Sequence, residues 1–278
     1  MSSLPQYLEA VSLGALQGVA EFLPISSSGH LAIAQAVIDE ATGRKIDSEG
    51  NRLLVVVLHL GTLGSILWSY RRTLWATATD LRYLASVAAA TAPLVAVAFT
   101  PLKDRVEETF SRPAVVGVYL LATAALLLAG QFLAGRRAEP APGEEREASA
   151  GDVPLSVAAI VGAFQTLALL PGISRSGSTI AGGLMSGLGR EEAVRFSLMI
   201  GVPAIAGAGL LEAKTVWEAG VSGGALPVGP LAAGAATAFA VGVAAISLLR
   251  KAVSNDRLHW FAAYCAAVGV ATIVWQAV

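Results

Sequence analysis

The chain has 278 residues, of which 55% are hydrophobic and only 14% are charged, against about 25% charged in an ordinary soluble domain. A net charge of −1 supplies no basic patch, which sets nucleic acid aside as a partner. The single cysteine, Cys265, excludes an internal disulfide and a cysteine-built metal site.

The charge deficit comes from long uncharged stretches, so the chain reads as a multi-spanning helical membrane protein. Its 29 glycines suit close helix packing in lipid. The N-terminus carries Glu9, has no basic run and ends its apolar stretch at Pro24. It therefore reads as mature protein rather than a cleaved leader.

In chain order, the first apolar region, residues 7–39, is interrupted by the run Pro24 to His30. Apolar spans are then expected at 53–70, 82–99 and 114–134, followed by a polar linker at 138–152. A second interrupted region, residues 155–188, breaks at Pro171 to Thr179. Spans at 193–212, 228–250 and 258–276 complete the chain. The arms flanking each break, at 1.5 Å per residue, are too short for a ~30 Å hydrocarbon core. They predict two re-entrant helical hairpins, whose broken backbone is tolerable only inside protein or beside a wet cavity.

The halves repeat. Ala15-Leu16-Gln17 matches Ala163-Phe164-Gln165, and at the same offset Ile25 to Gly29 matches Ile173 to Gly177. A hairpin does not cross the membrane and three spans are an odd number, so the second half is predicted upside down. The expected fold is an all-α inverted-topology repeat, with units 1–137 and 153–278 and two broken elements meeting near the bilayer centre. One face collects Arg71, Arg72, Arg82, Arg136, Arg137, Arg146, Arg190, Arg250, Lys251 and Arg257. The other collects Arg44, Lys45, Arg52, Lys103, Arg105, Arg112 and Lys214. The bias puts the first face in the cytoplasm and both termini outside. Trp68, Trp75, Trp217, Trp260 and Trp275 fall near span ends, as interfacial anchors do.

Gln17 and Glu21 are four apart and share a helical face. A carboxylate at membrane depth costs about 2.5–3.5 kcal/mol and usually faces water or a partner. Glu21 is thus a candidate metal ligand or general base, or a carboxylate bonded to a neighbouring helix. Ser26, Ser27 and Ser28 open the second arm, where free N–H groups favour an anion. Their hydroxyls can cap, donate to phosphate or act as nucleophiles. His30 lies on the same side as Ser27, whereas His59 reads as a hydrogen-bonded core histidine. The second break sets Arg175 among Ser174, Ser176, Ser178 and Thr179, a guanidinium fork and hydroxyls suited to phosphate oxygens. Arg175 paired with Glu21 across the pseudo-twofold axis is compatible with that role.

The run from Gln17 through Glu21-Phe22-Leu23-Pro24-Ile25-Ser26-Ser27-Ser28-Gly29-His30, together with Pro171-Gly172 and Ser174-Arg175-Ser176-Gly177 followed by Thr179, resembles the undecaprenyl-diphosphate phosphatase family, also called the bacitracin-resistance proteins. The resemblance covers nearly the whole chain. It implies a bacterial plasma-membrane enzyme that hydrolyses undecaprenyl diphosphate to the monophosphate, with an active site open to the outer face. It also implies a divalent cation, Mg2+ or Ca2+, as cofactor. By motif match Glu21, Ser27, His30 and Arg175 are the central residues, and Ser26, Ser28, Ser174, Ser176 and Thr179 line the phosphate pocket. Where the family's first motif often begins with Glu, this chain has Gln17, which leaves Glu21 as the main metal ligand with Gln17 beside it. The mechanism expected is attack by Ser27 with His30 as acid/base; His30 as nucleophile and direct attack by water stay open. An inverted-repeat transporter or lipid flippase is the rival from another class. A homodimer is among the assemblies the sequence leaves open.

Overall fold

The computed structural model describes residues 4–42, 48–101, 106, 108–135, 153–218 and 228–277, and every regular element among them is helical. The helices are α1 (Leu4–Phe22), α2 (Ser27–Thr42), α3 (Ser48–Ser69), α4 (Arg71–Thr77), α5 (Leu81–Ala98), α6 (Pro113–Gly135), α7 (Leu155–Leu167), α8 (Arg175–Met185), α9 (Arg190–Glu218), α10 (Val228–Ser254) and α11 (Leu258–Ala277). The linker at 138–152, with Arg136, Arg137, Arg44, Lys45, Lys103 and Arg105, lies outside the described residues.

Each expected span falls on one of these helices. Four, α6, α9, α10 and α11, are long and apolar enough to cross a membrane outright, which makes this a multi-pass membrane protein. The first expected span runs through α3 and then turns by 72° into α4. Helix α5, which carries Pro93 and starts on an Asp80 cap accepting from Arg82 N and Tyr83 N, falls just short in length. Trp68, Trp75, Trp217 and Trp260 are all more than half exposed, as anchors facing lipid headgroups should be.

Small residues let the helices touch backbone to backbone, the packing available where lipid gives no hydrophobic drive for association. A Cβ on Gly117 of α6 would stand 2.8 Å from the Gly269 carbonyl of α11, and one on Gly18 of α1 would stand 2.9 Å from that of Ala238 on α10. Helix α1 packs along α10, α6 along α11, and α3 against both α10 and α9; α5 packs against α7 and α9, and α8 against α6, α7 and α9. Polar ties fix one end of the bundle. Arg190 at the start of α9 pairs with Asp256 at 3.0 Å. Gln131 near the end of α6 donates to the Asp256 carbonyl at 2.8 Å and accepts from His259 N at 2.7 Å.

Two interruptions remain, between α1 and α2 and between α7 and α8. They are pressed together at the centre of the packing, and each is turned by one unusual backbone. Ser26 has φ 70° and Gly172 has φ 110°. Ser26 Oγ accepts from Gly29 N and from Gly172 N, both at 3.2 Å, so one hydroxyl stitches the two breaks. A Cβ at Gly172 would stand 2.5 Å from the Val116 carbonyl. Both the left-handed turn and the space there require glycine.

Candidate active site

The same local device opens the second arm at both breaks. Ser26 and Ser174 each cap a helix N-terminus, accepting from the backbone N–H three residues on, Gly29 and Gly177, at 3.2 and 3.1 Å. This satisfies donors that a helix start otherwise leaves bare. The next-but-one serine then meets the cap, Ser28 to Ser26 at 3.3 Å and Ser176 to Ser174 at 3.2 Å. Ser176 Oγ also donates across the junction to the Leu23 carbonyl at 3.3 Å. Thr123 of α6 locks the second break from behind, donating to the Gly172 carbonyl at 2.7 Å and accepting from Ser174 N at 3.0 Å.

The charged centre straddles the junction. Arg175 Nη2 donates to Glu21 Oε1 at 2.9 Å, and its Nη1 donates to the Ser197 carbonyl at 3.1 Å. Glu21 Oε2 accepts from Gln17 Nε2 and from Ser27 Oγ, both at 3.1 Å. The carboxylate is 8% exposed and the guanidinium 15%. A charge this deep is tolerable because it is paired with a guanidinium and both carboxylate oxygens accept hydrogen bonds. Thr179 holds the arm behind Arg175, with its Oγ1 2.7 Å from the Arg175 carbonyl and 2.7 Å from Ser197 Oγ.

A cavity of about 190 Å³ opens over this cluster. Glu21, Ser26, Ser27, Ser28, Ser174 and Arg175 line it, so six of the side chains singled out in the sequence converge on one space. Gln17 stands behind Glu21. Ser176 and Thr179 face the packing around the breaks rather than the cavity.

His30 does not join them. Its Nδ1 donates to the Ser26 carbonyl at 2.8 Å, which leaves Nε2 to take the Tyr264 hydroxyl at 2.8 Å. The two rings stack with centroids 5.6 Å apart. The imidazole that does line the cavity is His59. Its Nδ1 donates to the Val55 carbonyl at 2.8 Å, and its Nε2 stands 3.9 Å from Glu21 Oε2. His59 reads from the sequence as a core histidine, because a single polar residue inside a span carries no sign of which way it faces. Gln165 stands out in the sequence only as the repeat partner of Gln17, yet it lines the cavity with Oε1 unpartnered.

Among the described residues no three acidic, histidine or cysteine side chains converge as a metal cage. What the cluster does offer a hard cation is oxygen: the Glu21 carboxylate, the Ser27 hydroxyl and Gln17 Oε1, which is buried without a partner. That donor set suits Mg2+ or Ca2+, which take oxygen ligands, better than a softer metal.

Several known proteins are similar along nearly the full chain. A protein named undecaprenyl-diphosphatase from Rhodopirellula baltica is 38% identical over 272 residues, covering 98% of each chain. Proteins of the same name from Methanosphaera stadtmanae and Bacteroides fragilis are each 35% identical, over 298 and 281 residues, covering 97% or more of each chain. The family model described as bacitracin resistance protein BacA matches residues 10–271, a stretch that contains both breaks, the Glu21–Arg175 pair and the cavity above it, and the chain belongs to that family.

Proposed function

We propose that this protein hydrolyses undecaprenyl diphosphate to undecaprenyl phosphate and inorganic phosphate, recycling the lipid carrier of cell-wall precursors and conferring bacitracin resistance. The observation that carries the reading is the Glu21–Arg175–Ser27 cluster. A permanent cation, a carboxylate and a hydroxyl share one small cavity beside two capped helix starts. Phosphoryl transfer asks mainly for positioning and charge stabilisation of this kind.

The chain's own groups divide the work as follows. The diphosphate competes with Glu21 for the Arg175 fork, whose geometry matches phosphate oxygens. Ser174 and Ser28 hydroxyls donate around it. Ser27 Oγ attacks the terminal phosphorus; the new O–P bond forms as the bond to the bridging oxygen breaks, and the electron pair leaves on the lipid monophosphate. The Ser27 proton passes to Glu21 Oε2, its hydrogen-bond acceptor in the resting site. Water then hydrolyses the phosphoserine, releasing inorganic phosphate. His30, held between Ser26 and Tyr264, positions the start of α2. When bound, Mg2+ or Ca2+ neutralises phosphate charge, and Gln17 Oε1 and Glu21 are the oxygens that would hold it.

We also read the architecture as the inverted repeat, with units 1–137 and 153–278 and re-entrant hairpins α1–α2 and α7–α8. Helix directions support it. Helix α1 runs parallel to α10, with Tyr7 against Gly229 and Gly18 against Ala238. Helix α7 runs parallel to α5, where Ser86 Oγ donates to the Val153 carbonyl at 2.6 Å and Gln165 Nε2 to that of Ala90 at 3.0 Å. Helix α10 ends where Asp256 meets Arg190, whereas α5 begins near that end, with Tyr83 against Phe196. The two hairpins therefore enter from opposite ends. The arginine-rich end is read as cytoplasmic, in a bacterial plasma membrane, with the termini and the catalytic cavity facing outward.

Phosphate release by purified protein in detergent, with Mg2+ or Ca2+ present, tests the activity. No release from wild type would defeat the enzyme reading and leave a lipid transporter. Trapping the phosphoenzyme tests the nucleophile: label on Ser27 is expected, and single displacement by solvent oxygen would remove the covalent step.

A further inference from the structure

A second cavity, about 640 Å³, lies on the other side of the first break. Leu23 and Ile25 form its inner wall, so the segment that turns its serines to the catalytic cavity turns its apolar residues to this one. Val19 of α1, the end of α10 and the face of α11 that carries Trp260 and Tyr264, which are 63% and 44% exposed, make the remaining wall. Lys251 and Arg257 stand at the mouth, one at the end of α10 and the other just before α11. Neither forms an ion pair with a described residue. Asp256, the carboxylate between them, is committed to Arg190 at 3.0 Å. Arg257 instead lies over the Trp260 ring, 5.3 Å from its centroid.

We propose that this cavity binds an anionic phospholipid of the bilayer, its phosphate between Lys251 and Arg257 and one acyl chain lying inward against Leu23, Ile25 and Tyr264. Charge complementarity selects the occupant. Two uncompensated cations at a helix turn, level with an exposed tryptophan, mark headgroup depth. Basic pockets between membrane helices take acidic lipid headgroups, and the apolar wall behind suits a hydrocarbon tail. A zwitterionic lipid also carries a phosphate, but its own ammonium offsets that charge, so only a lipid with net negative charge compensates the two cations. The site does not rest on the reading of the catalytic cavity. It does touch that cavity at one remove, because Tyr264 is bonded to His30, and His30 to the carbonyl of the residue preceding Ser27.

The test uses the full chain in detergent and reads its unfolding midpoint. Phosphatidylglycerol should raise the midpoint with dose, as a ligand of the native state must, and phosphatidylcholine should not. The exposed-site variant Lys251→Gln should weaken the response, and Lys251→Gln with Arg257→Gln should abolish it, while both keep their lipid-free midpoint and their rate of phosphate release. If the double variant proves unstable, Lys251→Gln alone decides: a response equal to wild type overturns the proposal. Arg175→Ala should keep the full response, which separates this site from the catalytic one. Equal shifts with both phospholipids, no shift with either, or a shift given only by an isoprenoid monophosphate would each overturn the assignment.

Discussion

Arg175 carries the buried ion pair with Glu21 and, in the proposed function, the phosphate-binding fork. Arg175→Ala should lower turnover by about 100-fold or more, the usual scale for removing a donor that stabilises developing charge, and leave Glu21 buried without its cation. Arg175→Lys keeps the charge but loses the fork, so it should recover only part of the rate. Steady-state phosphate release checks both, and activity near wild type in Arg175→Ala would remove the residue from its role. His30 and Tyr264 form one unit in this geometry. Tyr264→Phe and His30→Ala should therefore cause losses of similar size; a far greater loss in His30→Ala would mean that the ring leaves Tyr264 and takes part in the chemistry. Glu21 and Arg175 were legible in the sequence because an ionised side chain in an apolar stretch demands an explanation. The orientation of an imidazole was not. His30 sits in the motif yet turns away from the cavity, and His59 sits in an undistinguished span yet faces it. Rotation about a helix axis is decided by packing partners that a single sequence does not display.

At the scale of elements, the two breaks were legible because Pro24, the serine run and Pro171-Gly172 interrupt apolar stretches. Their interlock was only partly so. The offset between the repeats announces that Ser26 and Ser174 do the same job, but nothing in either motif announces that Ser26 also accepts from Gly172 N. Gly172→Ala tests that interlock. It forces a side chain into the left-handed region, which costs about 1–2 kcal/mol, and into the Val116 carbonyl. A lower unfolding midpoint is expected, with phosphate release falling even at temperatures where the protein stays folded. Normal activity and an unchanged midpoint would show that the two breaks do not hold each other. The 72° turn between α3 and α4 was not legible, since Tyr70 is flanked by neither proline nor glycine.

For the whole molecule, the order of the apolar segments could be read from hydropathy alone, because the bilayer sets the length of a span. Helix limits were less legible: α3 begins at Ser48 and α9 runs on to Glu218, several residues beyond the apolar stretches at 53–70 and 193–212. Which helices are neighbours could not be read. Contacts such as Gly117 with Gly269 depend on small residues that occur throughout the chain, and only the assembled bundle shows which of them meet. The predicted orientation is open to a direct check. Cysteines introduced one at a time at Arg71 and at Lys214 should react with an impermeant thiol reagent from opposite sides of sealed vesicles, Lys214→Cys from the outside. Cys265 does not interfere, being buried with its Sγ 3.6 Å from the Pro24 carbonyl. Labelling of both positions from the same side would break the topology.

The bond between Glu21 and Arg175 spans 154 residues of chain, and this has a consequence for biosynthesis. The ribosome delivers the acid long before the base. While the first half is being threaded into the bilayer, Glu21 has only Gln17, Ser27 and His59 for company, an arrangement that leaves a negative charge uncompensated. The early hairpin must wait in a provisional state, protonated or close to water, until α8 emerges. Anything that delays or removes the second half leaves a chain whose first half is inserted but unable to close.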